Sequence, residues 1–297
     1  MMAKGLLKRD GAKQAFAAYV LLAPDVLGLA LIYLGPMLFT FYLSFFSWNG
    51  AGDKLFTGLA NYRTLFTDPL WLRSMGITFG YVLMYVVLIV GGALALSMLV
   101  NTRIREIKVF RTVYFFPIVM PIIVAAIVWQ FIYEPSYGVL NYFLRGLGIA
   151  PQAFLGSQEQ ALYSVVVISA WKQVGYYMIL LLAGLSDIPK EYYEASKIDG
   201  ANGVQTFFRI TLPLLKPMLV FVIVVNLITG LQDFDQVYVL TRGGPNYATY
   251  VQVFYIYEKA FKFLKMGLAS AASVILFTVI MVLSLIQLKI YRGGKYD

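Results

Sequence analysis

The sequence predicts an all-α, polytopic membrane protein with about six transmembrane helices, and two observations carry that reading. The 297 residues are 60% hydrophobic and only 13% charged, with a mean hydropathy of +0.73. Soluble domains run nearer half apolar and a quarter charged. The charges are also unevenly placed, since stretches 26–52, 74–102, 112–133 and 267–288 hold no Asp, Glu, Lys or Arg. Each is as long as the roughly 20 apolar residues that a helix needs to cross a hydrocarbon core.

Six spans follow, at about 17–46, 75–100, 112–133, 161–185, 213–232 and 267–290, in a single transmembrane domain over 1–297. Lys4, Lys8, Arg9 and Lys13 precede the first, as in a signal peptide. The apolar run from Gln14 to Phe46, broken only by Asp25, is too long for a signal core of about 7–15 residues, so it reads as an uncleaved span. Pro117 and Pro121 predict a bend in the third span, and Trp129 and Tyr133 read as interfacial aromatics at its outer end. The fourth contains Lys172. Its Leu, Ile and Val residues favour insertion by roughly 3 to 6 kcal/mol, against about 2.5 to 3.5 kcal/mol for a central Lys, so it inserts by a thin margin. The fifth is short, with Pro213 and Pro217 at its start and an unbroken apolar part from Met218 to Leu231.

Basic residues set the orientation. With a cytoplasmic N-terminus the inner segments hold 15 Lys and Arg and the outer loops 8, which places both ends in the cytoplasm. Lys259, Lys262 and Lys265 run against this bias, beside Phe254, Tyr257, Phe261 and Phe263. They fit an amphipathic segment at the outer interface, where lysines snorkel. The net charge of +9 is accounted for by topology and calls for no nucleic acid. Without cysteine or histidine the chain has no thiolate nucleophile, disulfide, imidazole base or His-ligated metal. No metal site or catalytic residue is predicted.

The long inner loop, 187–213, is the most informative segment. A polar helical stretch from Glu191 to Asp199 ends at Gly200, which suits a left-handed cap. A second amphipathic piece with Phe207, Phe208 and Ile210 follows, and Pro213 stops it or starts the next helix. Glu194-Ala195-Ser196, Gly200, Ile210 and Leu212-Pro213 fix seven positions over 20 residues. Their spacing resembles the E-A-A, x3, G, x9, I-x-L-P signature of permease subunits of ATP-binding-cassette importers, with Ser196 in place of the commoner Ala. The resemblance extends over about 19–291. W-K-Q-V-G-Y-Y-M-I-L-L-L-A-G-L-S-D-I-P at 171–189, G-L-A-N-Y-R-T-L-F-T-D-P at 58–69, Y-G-V-L-N-Y-F-L at 137–144 and F-D-Q-V-Y-V-L-T-R-G-G-P-N-Y-A-T at 234–249 are similar to the carbohydrate-uptake permeases. Within them, the first-listed membrane subunit of the maltose or glycerol-phosphate type is the one resembled.

That resemblance implies a permease domain whose 187–213 segment is a cytoplasmic coupling-helix loop docking in a cleft of an ATPase subunit. In it, Ala195 and Ser196 allow close approach, Gly200 gives the bend, Glu194 pairs with a basic group, and Ile210 and Leu212 anchor the loop to the membrane bundle. It also implies a second homologous permease, two ATPase subunits that bind ATP and Mg, an extracellular solute-binding protein and a sugar substrate. This chain itself holds no cofactor: Arg242-Gly243-Gly244-Pro245 is a turn and lacks the Lys-Ser/Thr of a phosphate loop. Polar groups within a bilayer usually face a cavity or a neighbouring helix. Trp171, Lys172, Gln173 and Tyr176, with Asn226, Gln232, Asp233, Asp235 and Tyr238, are therefore the candidates for a sugar path, aromatic faces stacking on rings and amides or Lys bonding hydroxyls. Packing between helices is the alternative for Trp171 and Lys172, interhelical bonding for Asn226, and helix capping for the Asp pair. Two other functions compete. A lipid head-group transferase needs several closely spaced Asp after Asp199-Gly200, yet the next acid is Asp233. A self-sufficient secondary transporter leaves the loop unexplained and has no paired halves here.

Overall fold

Helices dominate the computed structural model, which describes residues 18–101 and 107–293, the side chains of 107–111 and 290–293 excepted. The basic tail at Lys4–Lys13, the start of the first span at 17, Arg103, Arg105 and Lys295 lie outside the described residues. The described chain divides into two compact units, one built from the chain up to Leu65 with Lys259–Ile275, the other from Phe66–Glu258 with the chain from Leu276.

In the first unit, α1 (Ala18–Leu43) is almost wholly exposed, as a lipid-facing helix must be. It widens into a π turn over Ala30–Leu34, with Gly35 N–H donating to Ala30 C=O. Pro36 follows at once, and the wider turn accommodates a residue that lacks an N–H and crowds the preceding carbonyls. A short antiparallel pair, β1 (Phe46–Ser47) with β2 (Leu55–Phe56), follows the span. Asn61 Nδ2 secures it by donating to Ser44 C=O and Phe46 C=O, both at 2.9 Å.

The second unit is organised around α7 (Ala161–Ser186), the most buried of the long helices. The chain reaches it through α2 (Ala60–Thr67), α3 (Pro69–Val100), α4 (Ile107–Val119), α5 (Ile122–Ile132) and α6 (Val139–Gly146). Asp68 caps α3 by accepting from Leu70 N–H, with Pro69 at the first helical position. Trp71, Ser74, Thr78, Val82, Tyr85, Ile89 and Ala93 recur at helical spacing as its buried stripe. Helices α3, α4 and α9 (Gly203–Leu231) all pack on α7.

The third expected span is not a bent helix but a broken one. Helices α4 and α5 meet at an angle of 109° with Met120 and Pro121 between them. Pro121 sits outside helical geometry, at φ −54° and ψ 138°. It removes an N–H and biases Met120 away from the helical region, whereas Pro117 is tolerated inside α4. Five helices among the described residues are long and apolar enough to cross a membrane, and the broken pair makes a sixth crossing if it is one span. The fifth span also differs from expectation. After α8 (Lys190–Ile198), α9 runs without interruption from Gly203 to Leu231, and a π turn at Phe207–Thr211 absorbs Pro213. The second half of the inner loop is therefore the first turns of the span and not a separate helix. The chain ends with α10 (Asp235–Leu240), α11 (Gln252–Tyr257), a π turn at Glu258–Lys262 and α12 (Met266–Gly293).

Gly175 sits where the backbones of α7 and α4 come close, and a Cβ there would lie 1.9 Å from Tyr114 C=O. Gly175→Ala is expected to cost about 1–3 kcal/mol of stability through overpacking, read as a lower thermal midpoint in detergent. Gly91→Ala, whose added methyl meets nothing within 4 Å inside a helix, should hold or raise the midpoint. Equal midpoints for the two variants would contradict this packing.

Candidate functional site

Two places in the second unit gather the residues singled out by the sequence. The first is the inner loop. Helix α8 closes with Asp199 N–H on Ala195 C=O and Ala201 N–H on Ser196 C=O at 2.9 Å, while Gly200 takes φ +74°. Glycine at that position gives the left-handed cap at no steric cost. Asn202 then starts α9 with a capping box, accepting from Gln205 N–H while Gln205 Oε1 accepts from Asn202 N–H, both at 2.9 Å. The two helices enclose a cavity of about 430 Å³, lined among others by Tyr192, Ala195, Asp199 and Arg209.

Ser196 is buried in this loop. Its hydroxyl donates to Tyr193 C=O at 2.9 Å and lies 3.4 Å from Thr206 Oγ1, linking the two halves in a way that an alanine does not. Glu194 and Ala195 face outward, Ile210 and Leu212 are half-buried, and Pro213 is exposed. Tyr193 OH accepts from Thr211 Oγ1 at 3.3 Å, a second tie between α8 and the base of the span.

The second place is a cavity of about 290 Å³ at the far end of α9, beside the break in the third span. Of the candidates, Lys172, Gln173, Gln232, Asp233 and Asp235 line it. Trp171, Tyr176, Asn226 and Tyr238 do not. Trp171 packs edge-on against Trp129 with ring centres 5.4 Å apart, and Tyr176 packs edge-on against Tyr177. Asn226 is fully buried and donates back to Val222 C=O of its own helix at 2.9 Å. Tyr238 stacks on Phe234 at 5.1 Å. Trp129 is half-buried and Tyr133 is buried and stacked on Phe154 at 4.7 Å.

Lys172 is the main surprise. Its ammonium group donates to the carbonyls of Met120, Ile118 and Pro117 at 2.8, 3.2 and 3.3 Å. These carbonyls end α4 at the break, where the helix dipole is negative and a cation is favoured, and Pro117 C=O also accepts from Met120 N–H at 3.3 Å. Three protons meet three acceptors, so the ammonium caps the helix end while the side chain also lines the cavity. Asp233, two residues past the end of α9, accepts a short hydrogen bond from Tyr81 OH, which also lies 2.9 Å from Ser169 Oγ. Burial pushes the Asp233 carboxyl up to about 7, and the bond from Tyr81 opposes that rise.

Tyr81, Tyr85 and Thr229 escaped the sequence reading. Tyr85 and Thr229 line the cavity, and Tyr85 stacks on Tyr81 with ring centres 5.7 Å apart. The available signal was two hydroxyl-bearing aromatics one helical turn apart in a span with no charge.

A sequence profile of binding-protein-dependent transport system inner membrane components matches residues 89–293. The chain is 35% identical over 284 residues to YurN, a probable ABC transporter permease protein of Bacillus subtilis (strain 168), covering 94% of this chain and 97% of that one. It is 36% identical to the sn-glycerol-3-phosphate transport system permease protein UgpA of Brucella abortus biovar 1 (strain 9-941), with 91% and 93% covered. It is 32% identical to the trehalose/maltose transport system permease protein MalF of Thermococcus litoralis (strain ATCC 51850 / DSM 5473 / JCM 8560 / NS-C), with 94% and 95% covered. A chain in the crystal structure of a bacterial ABC transporter involved in import of the acidic polysaccharide alginate has the same fold, with a TM-score of 0.84 at 24% identity over 96% of this chain and 98% of that one.

Lys172→Met is expected to take the donor from the Ile118 and Met120 carbonyls and to cost about 3 kcal/mol. Amide hydrogen exchange across 114–125 should accelerate and the thermal midpoint should fall. Unchanged exchange there would show that the ammonium does not hold the break. Gln173→Leu, which disturbs no cap, should leave both readings as they are.

Proposed function

The chain belongs to the family of binding-protein-dependent transport system inner membrane components, and from that premise we propose that it imports a sugar or sugar-like solute. It is a multi-pass membrane permease, not an enzyme, and acts as one subunit of a larger transporter. Its partners in the proposed assembly are a second homologous permease, two ATPase subunits carrying ATP and Mg, and an extracellular binding protein that delivers the solute. Both termini lie in the cytoplasm in this reading, as the excess of inner basic residues favours.

The observation that carries the proposal is the 187–213 loop. A helix, a left-handed glycine and a capped helix start occupy the spacing of the importer signature, and Glu194 and Ala195 are presented outward. In the proposed mechanism ATP-driven closure of the ATPase pair draws the two permeases' loops together. The spans then change from inward- to outward-facing as rigid bodies, and the solute enters the second cavity. The amides and hydroxyls of Gln173, Gln232, Thr229 and Tyr85 suit a polyhydroxylated ligand.

Purification of the tagged chain from its host is expected to bring ATPase subunits with it, and a loaded binding protein should stimulate their activity. A chain that purifies alone and moves solute without ATP would favour a self-sufficient transporter instead. Gly200→Val should reduce the stimulated activity at least tenfold, because a β-branched residue at φ +74° costs on the order of 1–3 kcal/mol. The binding protein's own affinity should not change. Full stimulation in this variant would remove the loop from the coupling path.

A further inference from the structure

The first unit gathers four lysines where α1 ends, at Leu43, and α12 starts, at Met266. The segments just beyond these two helix ends are packed together. Gly267 N–H donates to Trp48 C=O at 3.4 Å, and a Cβ on Gly267 would collide with Phe46 C=O, so the β1–β2 hairpin lies against the start of α12. Both segments therefore sit at one membrane face, the outer one in the proposed orientation. On the hairpin, Lys54 Nζ lies over the rings of Phe39, Trp48 and Tyr42 at 4.9, 5.2 and 5.6 Å. Ahead of α12, Lys259 and Lys262 both lie over Phe263, at 5.3 and 5.7 Å. Lys265 N–H closes this turn on Lys259 C=O at 2.7 Å, with Leu264 at φ +50°.

We infer that this face is a docking surface for the headgroups of anionic phospholipids. Its apolar groups select a lipid over a protein partner. Leu55, Phe56, Leu59, Phe261, Phe263 and Leu264 are exposed beside the ends of two spans, the depth at which lipid solvates apolar and aromatic side chains. The lysines stand among them, with stems long enough to carry an ammonium from the apolar layer to the phosphate level. Charge then selects the lipid. Segments 46–56 and 258–265 hold four lysines against Asp53 and Glu258, an excess of two positive charges. Holding the ammonium groups of Lys259 and Lys262 over one ring costs repulsion, which a phosphate beside them relieves. Each basic charge near an anionic surface strengthens binding about fivefold, so the excess favours anionic over zwitterionic lipid by about 25-fold before screening by salt. The inference goes beyond solute import and does not depend on which solute is carried.

The test uses the assembled transporter in nanodiscs of phosphatidylethanolamine. A minor fraction of a probe lipid is added, either phosphatidylglycerol or phosphatidylethanolamine, each with a photoreactive group next to its headgroup. After irradiation, adducts on the chain are located by mass spectrometry. Phosphatidylglycerol adducts at 46–56 and 259–265 are expected at least fivefold above those of the zwitterionic probe, and are expected to decline as salt is raised. Equal labelling by the two probes, or labelling indifferent to salt, overturns the headgroup preference. Lys54→Gln, Lys262→Gln and Lys265→Gln together are expected to bring phosphatidylglycerol labelling of these segments down to the zwitterionic level, with the thermal midpoint unchanged. Lys265→Gln alone should lower it about fivefold. Full labelling in either variant overturns the part given to the lysines. Segments that take no lipid adduct, yet are shielded from a water-soluble amine reagent by the binding protein, would belong to a protein interface, and the lipid assignment would fall.

Discussion

The three hydrogen bonds from Lys172 to the end of α4 are the interaction on which the second unit depends. A broken span exposes backbone carbonyls at membrane depth, and each unpaired one costs several kcal/mol where water is absent. A lysine in a span is costly for its own reason. Placed together, each removes the other's penalty: the ammonium finds acceptors at 2.8–3.3 Å and the α4 carbonyls find donors. Gly175, one turn further along α7, lets the Tyr114 carbonyl lie against the helix, so one face of α7 both receives α4 and caps it. The turn of 109° that results leaves room for the polar cavity beside it.

The continuity of α9 gives this cavity a mechanical partner. The helix begins at Gly203 in the signature loop and ends at Leu231, next to Gln232 and Asp233 on the cavity wall. At about 1.5 Å per residue its 29 residues reach roughly 43 Å. The π turn at Phe207–Thr211 lets Pro213 sit inside the element without breaking it. In the proposed coupling, a push on the loop is delivered to the cavity along one helix, with the bonds of Tyr193 and Ser196 to residues of α9 keeping α8 and α9 moving as a piece.

Much of this was legible in the residues. Four of the spans and the α8–Gly200 cap followed from charge-free lengths and glycine's conformational freedom, both local properties. The break at Pro121 was read only as a bend, because whether a proline kinks or severs a helix depends on what receives the freed carbonyls. The receiver, Lys172, is 52 residues away from Met120. The same distance effect hid the capping partners of Lys172, since its polarity was visible and its partners were not. Gln232, Asp233 and Asp235 were found because they end a span, whereas Tyr85 and Thr229 were hidden by resembling ordinary membrane-helix residues. Trp171 and Tyr176 share a helix with Lys172 but point to other neighbours, a matter of facing that composition does not record.

The central claim, that this chain moves its solute by coupling to ATP through a partner, is tested most directly by energetics. The assembled transporter in sealed vesicles, with binding protein outside, is supplied either with internal ATP or with an ion gradient alone. Uptake is predicted with internal ATP, undiminished when ionophores collapse every gradient, and absent without nucleotide. Uptake driven by a gradient in the absence of ATP would contradict the account.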